Sequence, residues 1–139
     1  MADPRPKILC ADDDEGWRGL LAQWLKPYCE LELCGKGAEV PGRAESFRPD
    51  CVILDYELGD MRGSQVCATL KAKPELAAIP VVILTNIAAS LFPAVTEGGA
   101  DHFVVKSENP DELLAVLGSL LAAKGFTGGW AGSDPHKLH

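Results

Sequence analysis

Polar side chains with complementary chemistry follow four short apolar runs of this 139-residue chain, at the points where the runs end. Carboxylates follow two of the runs, a hydroxyl follows the third and an ammonium follows the fourth. No loop propensity requires that combination, so we interpret it as one functional site. The residues are Asp12, Asp13 and Asp14 after 7–11, Asp55 after 51–54, Thr85 after 79–84 and Lys106 after 102–105.

The chemistry that these groups favour together is phosphoryl transfer to an aspartate. Carboxylates held close together repel by about 1 kcal/mol or more per pair, so an acidic cluster is costly unless a cation joins it. Mg2+ fits, because it is hard, prefers oxygen and binds through a few carboxylates plus a phosphoryl oxygen. Asp55 is then free to attack phosphorus as a nucleophile, while Lys106 and Thr85 gather the oxygens of the transferring group.

Each of these residues taken alone also has an ordinary structural interpretation. Asp14 fits a helix N-cap beside the metal site rather than a further ligand, and Asp55 fits a turn. Thr85 is a residue type that favours β-strands, and Lys106 alone is interpreted as an exposed, solvated charge. Only their combination at consecutive strand ends favours the functional interpretation.

The apolar runs predict buried parallel strands, because they are continuously apolar rather than alternating. A further short run precedes the turn at Gly35 and Gly37. The predicted strands are 7–11, 31–34, 51–54, 79–84 and 102–105.

Apolar residues at helical spacing predict amphipathic helices between the strands. Trp17 and Trp24 lie on the stripe of the first helix, which Pro27 ends, and we expect both indoles in the core. The pattern over 38–47 is weaker, because Pro41 and Gly42 interrupt it.

The later helices are predicted from their end signals. Ser64 is a good N-cap for the helix after the third strand, and the next helix is expected to begin near Ser90 or Leu91. The last helix has the clearest start, Asn109-Pro110-Asp111-Glu112, with an N-cap, a proline and acidic residues in its first turn. Gly125 is expected to end it.

Five strands alternating with five helices predict an α/β fold, in which right-handed crossovers place helices on both faces of a parallel sheet. Ligands bind at the carboxyl ends of such strands, where the polar residues lie. The expected domain spans residues 1–125, and the Gly-rich stretch 126–139 is expected to form a flexible tail.

Composition excludes several classes of function. Thirteen lysines and arginines against twenty aspartates and glutamates give a net charge of −7, which opposes binding to nucleic acid. No apolar run is long enough to span a membrane and no secretory signal opens the chain, so we expect a cytoplasmic location and no membrane partner. The five cysteines occur singly, and we expect them to be reduced packing residues.

The segments around the polar positions resemble the receiver domains of two-component response regulators. The matching segments are ILCADD at 8–13 with Arg18 after it, VILDYELGDMRG at 52–63, PVVILT at 80–85 and GADHFVVK at 99–106. The resemblance runs from about Lys7 to Leu121. It implies a flavodoxin-like, doubly wound (βα)5 sheet with strand order 2-1-3-4-5.

The resemblance also implies a role for each matching site residue. Asp55 would accept phosphate from a phosphohistidine on a sensor histidine kinase or a phosphotransfer protein. Lys106 would bind the phosphoryl group as a salt-bridge partner. The groups that would hold Mg2+ are Asp12, Asp13, Asp55 and the backbone carbonyl of Glu57.

A phosphorylated receiver domain is expected to act as a switch. Thr85 would move toward the phosphate, and Phe103 would rotate inward behind it, which changes a surface that binds a downstream protein effector. Such a domain is a signalling phosphoacceptor rather than an enzyme, since it catalyses only its own phosphorylation and dephosphorylation.

Three positions depart from the family pattern. Gly59 replaces a proline, which we expect to loosen its loop, and Phe103 has no hydroxyl, so its switching must operate by packing. Ser107 replaces the proline that usually follows the lysine, where the peptide is often cis. A cis bond before serine costs about 3 kcal/mol, so we expect a trans Lys106–Ser107 bond.

Other functions remain open at this point. The receiver domain could be cut from a longer regulator, or could no longer accept phosphate. A phosphatase of the haloacid dehalogenase type also uses aspartate and Mg2+, but its nucleophile lies after the first strand. An FMN-binding flavodoxin-like protein is less consistent, because three aspartates after the first strand would repel its phosphate.

Overall fold

Five parallel strands form one sheet in the computed structural model, which describes residues 5–86 and 99–126. The strands are β1 (Lys7–Ala11), β2 (Glu30–Cys34), β3 (Cys51–Asp55), β4 (Val81–Thr85) and β5 (His102–Val105). Their order across the sheet is β2-β1-β3-β4-β5, which confirms the predicted fold and strand order.

The described residues also contain four α-helices and one short 3-10 helix, of which the last α-helix follows the final strand. They are α1 (Glu15–Leu25), the 3-10 helix (Gly37–Glu39), α2 (Val40–Phe47), α3 (Gly63–Ala72) and α4 (Asp111–Ala123). The helix predicted to begin near Ser90 or Leu91 and the predicted tail after residue 126 lie outside the described residues. None of the described helices combines the length and apolarity that crossing a bilayer requires.

Two helix starts differ from the prediction. The helix predicted with Ser64 as its N-cap begins two residues earlier, at Gly63, and its N-cap is Arg62, whose N–H donates to Gln65 Oε1 at 2.9 Å. Ser64 is instead a buried residue inside the helix. In α4 the cap position falls at Pro110, although Asn109 Oδ1 still accepts the Asp111 N–H at 2.9 Å.

The core lies on both faces of the sheet. On one face, α2 and α3 pack against alternate strand residues such as Leu9, Val52 and Ile83. On the other face, α1 and α4 pack against the intervening residues, such as Cys10 and Ile53. Because the central strands are covered on both sides, their ends can be held rigidly enough to position a site.

Gly63 is where α3 packs directly on the end of β3. A Cβ at this position would lie 2.5 Å from the Asp55 carbonyl oxygen, and the Gly63 N–H donates to the Tyr56 carbonyl oxygen at 2.7 Å. The clash would be with backbone, which cannot rotate away as a side chain can. A glycine is therefore required beside Asp55.

The Gly63→Ala variant is expected to lower the free energy of unfolding by about 3 kcal/mol, because overpacking here displaces backbone. Denaturant unfolding measures the effect. Gly42→Ala is the control, since a Cβ there meets nothing within 4 Å, and in helix α2 alanine should stabilise by about 0.5 kcal/mol. Equal unfolding midpoints for the two variants would contradict the packing described here.

Candidate functional site

Three carboxylates meet where β1 and β3 end. Ala11 is paired with Leu54 in the sheet, so Asp12 and Asp55 emerge side by side. Asp13 completes the group, and one oxygen of each of the three lies within 4.8 Å of the others. Asp12 and Asp55 are 1% and 6% exposed, whereas Asp13 is exposed. The cluster is therefore accessible from the side of Asp13.

Lys106 reaches this cluster from the edge of the sheet. It follows β5, which is separated from β3 by β4, so the Lys106 and Asp55 side chains together bridge roughly 10 Å, about two strand spacings. Its Nζ lies 2.9 Å from Asp12 Oδ2 and 3.1 Å from Asp55 Oδ2, and the side chain is only 4% exposed. A long cationic side chain is needed to span that distance, and lysine provides one.

Thr85 ends the strand that Lys106 crosses. The Thr85 residue is 1% exposed, and its carbonyl oxygen accepts the Lys106 N–H at 2.8 Å. Its neighbour Leu84 is paired with Asp55 in the sheet, so Thr85 lies one residue beyond the acceptor. This places Thr85 at the same edge of the sheet, and its role in phosphate binding stays a prediction.

Backbone and side-chain contacts fix the orientation of Asp12. Its Oδ1 accepts the Asp14 N–H at 2.9 Å, and its carbonyl oxygen accepts Arg18 Nη1 at 2.7 Å. Asp14 Oδ1 in turn accepts the Trp17 N–H at 3.1 Å, so Asp14 is the N-cap of α1, as predicted. The start of α1 and the acidic cluster are thus one connected structure.

The loop after β3 lies against the same cluster. The exposed Glu57 donates its N–H to Asp55 Oδ1 at 3.3 Å, and its carbonyl as a metal ligand stays a prediction. Gly59 adopts a φ of +82°, and a Cβ there would lie 3.1 Å from Asp13 Oδ2. Gly59 thus lies beside a carboxylate in a left-handed conformation that favours glycine, which the sequence did not reveal.

Burial and neighbouring charge change the acidity of the site. Burial and, to a smaller extent, the neighbouring Asp12 charge raise the pKa of Asp55 to about 6, although Lys106 acts in the opposite direction. For Lys106, burial alone lowers the pKa, but its contacts with Asp12 and Asp55 outweigh burial and hold the pKa above its usual value. Lys106 is therefore charged at neutral pH. The negative charge of the Asp55 carboxylate is only partly balanced by Lys106.

The donor set fits a Mg2+ ion. Asp12 Oδ2 is buried and forms an ion pair with Lys106, but it accepts no well-formed hydrogen bond in the described part of the chain. A buried anionic oxygen without such a bond is costly, and a hard cation would compensate it. Asp12, Asp13 and Asp55 are the side chains that would hold the ion.

The raised pKa of Asp55 predicts a pH dependence of stability in a chelator. Because the folded state binds the Asp55 proton more tightly than the unfolded state, the contribution of Asp55 to stability is fully present at low pH and is lost as pH rises from about 4 to 6. The contribution is on the order of 2 kcal/mol. Asp55→Asn lacks it, so its free energy of unfolding should exceed that of the wild type increasingly over this range. A constant difference between the two proteins would contradict the pKa.

Several predicted residues have different surroundings from those expected. Trp17 was expected in the core, but it is only partly buried and its ring lies beside Lys106. Trp24 is also only partly buried, although it packs against the core cluster of α1 and α4. The burial prediction was wrong for Trp17 because, at the start of α1, the apolar stripe of the helix faces the acidic site instead of the core. Phe103 is half-buried and packs against the cluster of α2 and α3, and its switch role stays a prediction.

Two further predictions concern backbone and thiols. No cis peptide bond occurs in the described residues, so Lys106–Ser107 is trans, as expected. The five cysteines are free and buried. Burial raises the pKa of the Cys51 thiol to about 12, which is consistent with inert packing residues.

Known proteins with similar sequences are regulators. The chain is 33% identical over 117 residues to the DNA-binding response regulator MtrA of Mycolicibacterium smegmatis, covering 83% of this chain and 50% of that protein. It is 32% identical over 120 residues to the phosphate regulon transcriptional regulatory protein PhoB of Rhizobium meliloti, covering 84% and 52%. The chain therefore spans about half the length of these relatives.

Solved structures of similar fold are signalling domains. The signal receiver domain of a signal transduction histidine kinase from Syntrophus aciditrophicus has a TM-score of 0.80 at 28% identity, covering 89% of this chain and 96% of that one. The chemotaxis response regulator CheY4 of Vibrio cholerae has a TM-score of 0.74 at 25% identity, covering 84% and 98%. The family model of the response regulator receiver domain matches residues 8–118. With this match and the acidic cluster, the chain belongs to the response regulator receiver domain family.

Proposed function

We propose that this domain is a Mg2+-dependent phosphoacceptor that receives a phosphoryl group on Asp55 and thereby switches a protein-binding surface. The observation that carries the proposal is the buried Lys106 ammonium, which lies 3.1 Å from Asp55 Oδ2 beside three clustered carboxylates. A structural ion pair would need only one carboxylate. The remaining negative charge is suited to a cation and to chemistry at Asp55.

In the proposed step an Asp55 carboxylate oxygen attacks the phosphorus of a phosphohistidine on a sensor kinase or phosphotransfer protein. The new P–O bond forms as the P–N bond breaks, and the imidazole leaves and takes a proton from solvent. Asp12, Asp13 and Asp55, with the Glu57 carbonyl, would hold Mg2+. When bound, the ion would offset the negative charge that gathers on the phosphoryl oxygens.

Lys106 and Thr85 are assigned to the phosphoryl oxygens. The Lys106 ammonium already lies beside Asp55, so it needs little movement to bind an oxygen of the arriving group. The buried position of Thr85 at the end of β4 allows its hydroxyl to bind another. Movement of Thr85, followed by repacking of Phe103, would then change the surface that a downstream protein effector binds.

Nucleic acid is not a proposed partner of this domain. Its net charge of −7 opposes binding to a phosphate backbone. The relatives named DNA-binding or transcriptional regulators match this chain over only about half of their length. The proposal therefore holds for a separate domain and equally for one within a longer regulator.

The buried free thiols favour the cytoplasm as the location of this domain.

Mg2+-dependent labelling tests the proposed function. The wild-type protein is incubated with acetyl phosphate and either Mg2+ or a chelator, and its intact mass is measured. We expect a gain of one phosphoryl group with Mg2+ and none with the chelator. An unchanged mass in Mg2+ at all donor concentrations would refute phosphoacceptor function.

A further inference from the structure

The indole ring of Trp17 covers the ammonium of Lys106. Nζ lies 4.7 Å from the ring centroid, within the ~6 Å reach of a cation–π interaction. The same Nζ is 2.9 Å from Asp12 Oδ2 and 3.1 Å from Asp55 Oδ2. Because the Lys106 side chain is only 4% exposed, the ring and the two carboxylates together help to enclose the charge.

The position of the ring is itself fixed by two contacts. Asp14 Oδ1 accepts the backbone N–H of Trp17 at 3.1 Å, which fixes the first turn of α1, from which the ring extends. Trp24, two turns later, packs edge-on against Trp17 with centroids 6.2 Å apart and an interplanar angle of 74°. Trp24 in turn packs on the core cluster of α1 and α4. The indole is therefore held in place from its own helix.

The ring covers a part of the Lys106 ammonium that water would otherwise reach and hydrogen-bond. An ammonium has three N–H donors, and the two carboxylates occupy one side of it. The adjoining cleft, bounded by Trp17, Ser107 and Asn109, has room for about one water molecule. Without the indole, more water would reach the ammonium, and the flexible lysine stem would gain other rotamers.

We propose that Trp17 is a positioning residue for Lys106, because its ring keeps the Lys106 ammonium beside Asp55. The inference rests on the proposed phosphoacceptor function. During phosphorylation the bond from phosphorus to Asp55 forms as the bond from phosphorus to the donor breaks, a P–N bond with release of imidazole for phosphohistidine and a P–O bond with release of acetate for acetyl phosphate. Trp17 contacts neither reacting atom, and it acts by keeping the Lys106 ammonium ready for the phosphoryl oxygens.

The rate of phosphorylation by acetyl phosphate in Mg2+, with release of acetate, tests this role. Trp17→Leu removes the π face and should slow labelling about fivefold. Trp17→Phe keeps a smaller aromatic ring and should slow labelling only about twofold. In a Lys106→Met background, Trp17→Leu should change the rate by less than about twofold, because no ammonium remains to be positioned.

Trp24→Leu is the matched control, because it removes an indole from the same helix. Trp24 packs on Trp17, but among the described residues it makes no cation–π contact itself, and the Trp17 ring remains over Lys106 in this variant. Its loss should therefore slow labelling clearly less than Trp17→Leu does, by about twofold at most. Equal slowing by the two leucine variants would assign the effect to helix packing and overturn the inference.

Two further results separate this inference from the proposed function. If the wild type is labelled and Trp17→Leu is labelled equally fast, the inference alone is wrong. If the wild type is not labelled at all, the proposed function fails and the inference fails with it. Should Trp17→Leu not fold, as judged by circular dichroism, Trp17→Phe must itself be about twofold slower, and an unchanged rate would overturn the inference.

Discussion

Asp55→Asn is expected to gain no phosphoryl group under conditions that label the wild type completely. An amide oxygen is a far weaker nucleophile than a carboxylate oxygen, and the substitution keeps the size of the side chain and one acceptor oxygen. The contact with the Lys106 ammonium can therefore persist. Intact mass after incubation with acetyl phosphate and Mg2+ measures the result.

Asp50→Asn is the matched control for this experiment. Asp50 lies just before the opposite end of β3, where its Oδ2 accepts the Lys7 N–H at 2.8 Å. The same chemical change there should leave labelling intact. If Asp55→Asn were labelled as fully as Asp50→Asn, the nucleophile would have to be another residue.

Lys106→Met is expected to slow phosphorylation about a hundredfold, because it removes the one cation that the described structure holds beside Asp55. It should also lower the free energy of unfolding in a chelator by about 3 kcal/mol, since two buried carboxylates lose their shared partner. Mg2+ should recover part of that stability by binding the folded state. Labelling rates and denaturant unfolding measure the two effects.

Lys71→Met separates a general loss of charge from loss of the site cation. Lys71 bonds Asp101 Oδ2 at 3.1 Å and the Ile79 carbonyl oxygen at 2.9 Å, near the amino ends of β4 and β5. Its replacement should cost some stability and leave the labelling rate unchanged. A Lys106→Met protein that is labelled within threefold of the wild-type rate would contradict the role of Lys106.

The central strands could be predicted from sequence because their burial on both faces requires continuously apolar residues. CVIL at 51–54 and VVIL at 81–84 have this pattern, and each end of the observed strands lies within two residues of the prediction. Adjacent strand ends then follow from topology alone. The meeting of Asp12 with Asp55 could thus be predicted, since β1 and β3 are neighbours in the predicted order.

Contacts that depend on three-dimensional packing could not be predicted in this way. Ser64 has the better N-cap chemistry, but α3 begins earlier because Gly63 fits against the Asp55 backbone. Trp17 has core periodicity, but the first turn of α1 extends toward the strand ends, where its ring meets Lys106. Neither contact has a local sequence signal, because Gly63 meets Asp55 across the 56–62 loop and Trp17 meets Lys106 from a distant part of the chain.

The central claim is that Asp55 itself carries the phosphoryl group, and locating the label tests it most directly. Borohydride reduces an aspartyl phosphate to homoserine, which peptide mass spectrometry can assign to one position. After labelling in Mg2+, we predict homoserine at position 55, with Asp12 and Asp13 unchanged. Homoserine at position 12 or 13, or a label that resists borohydride, would contradict the assignment of Asp55 as the phosphoacceptor.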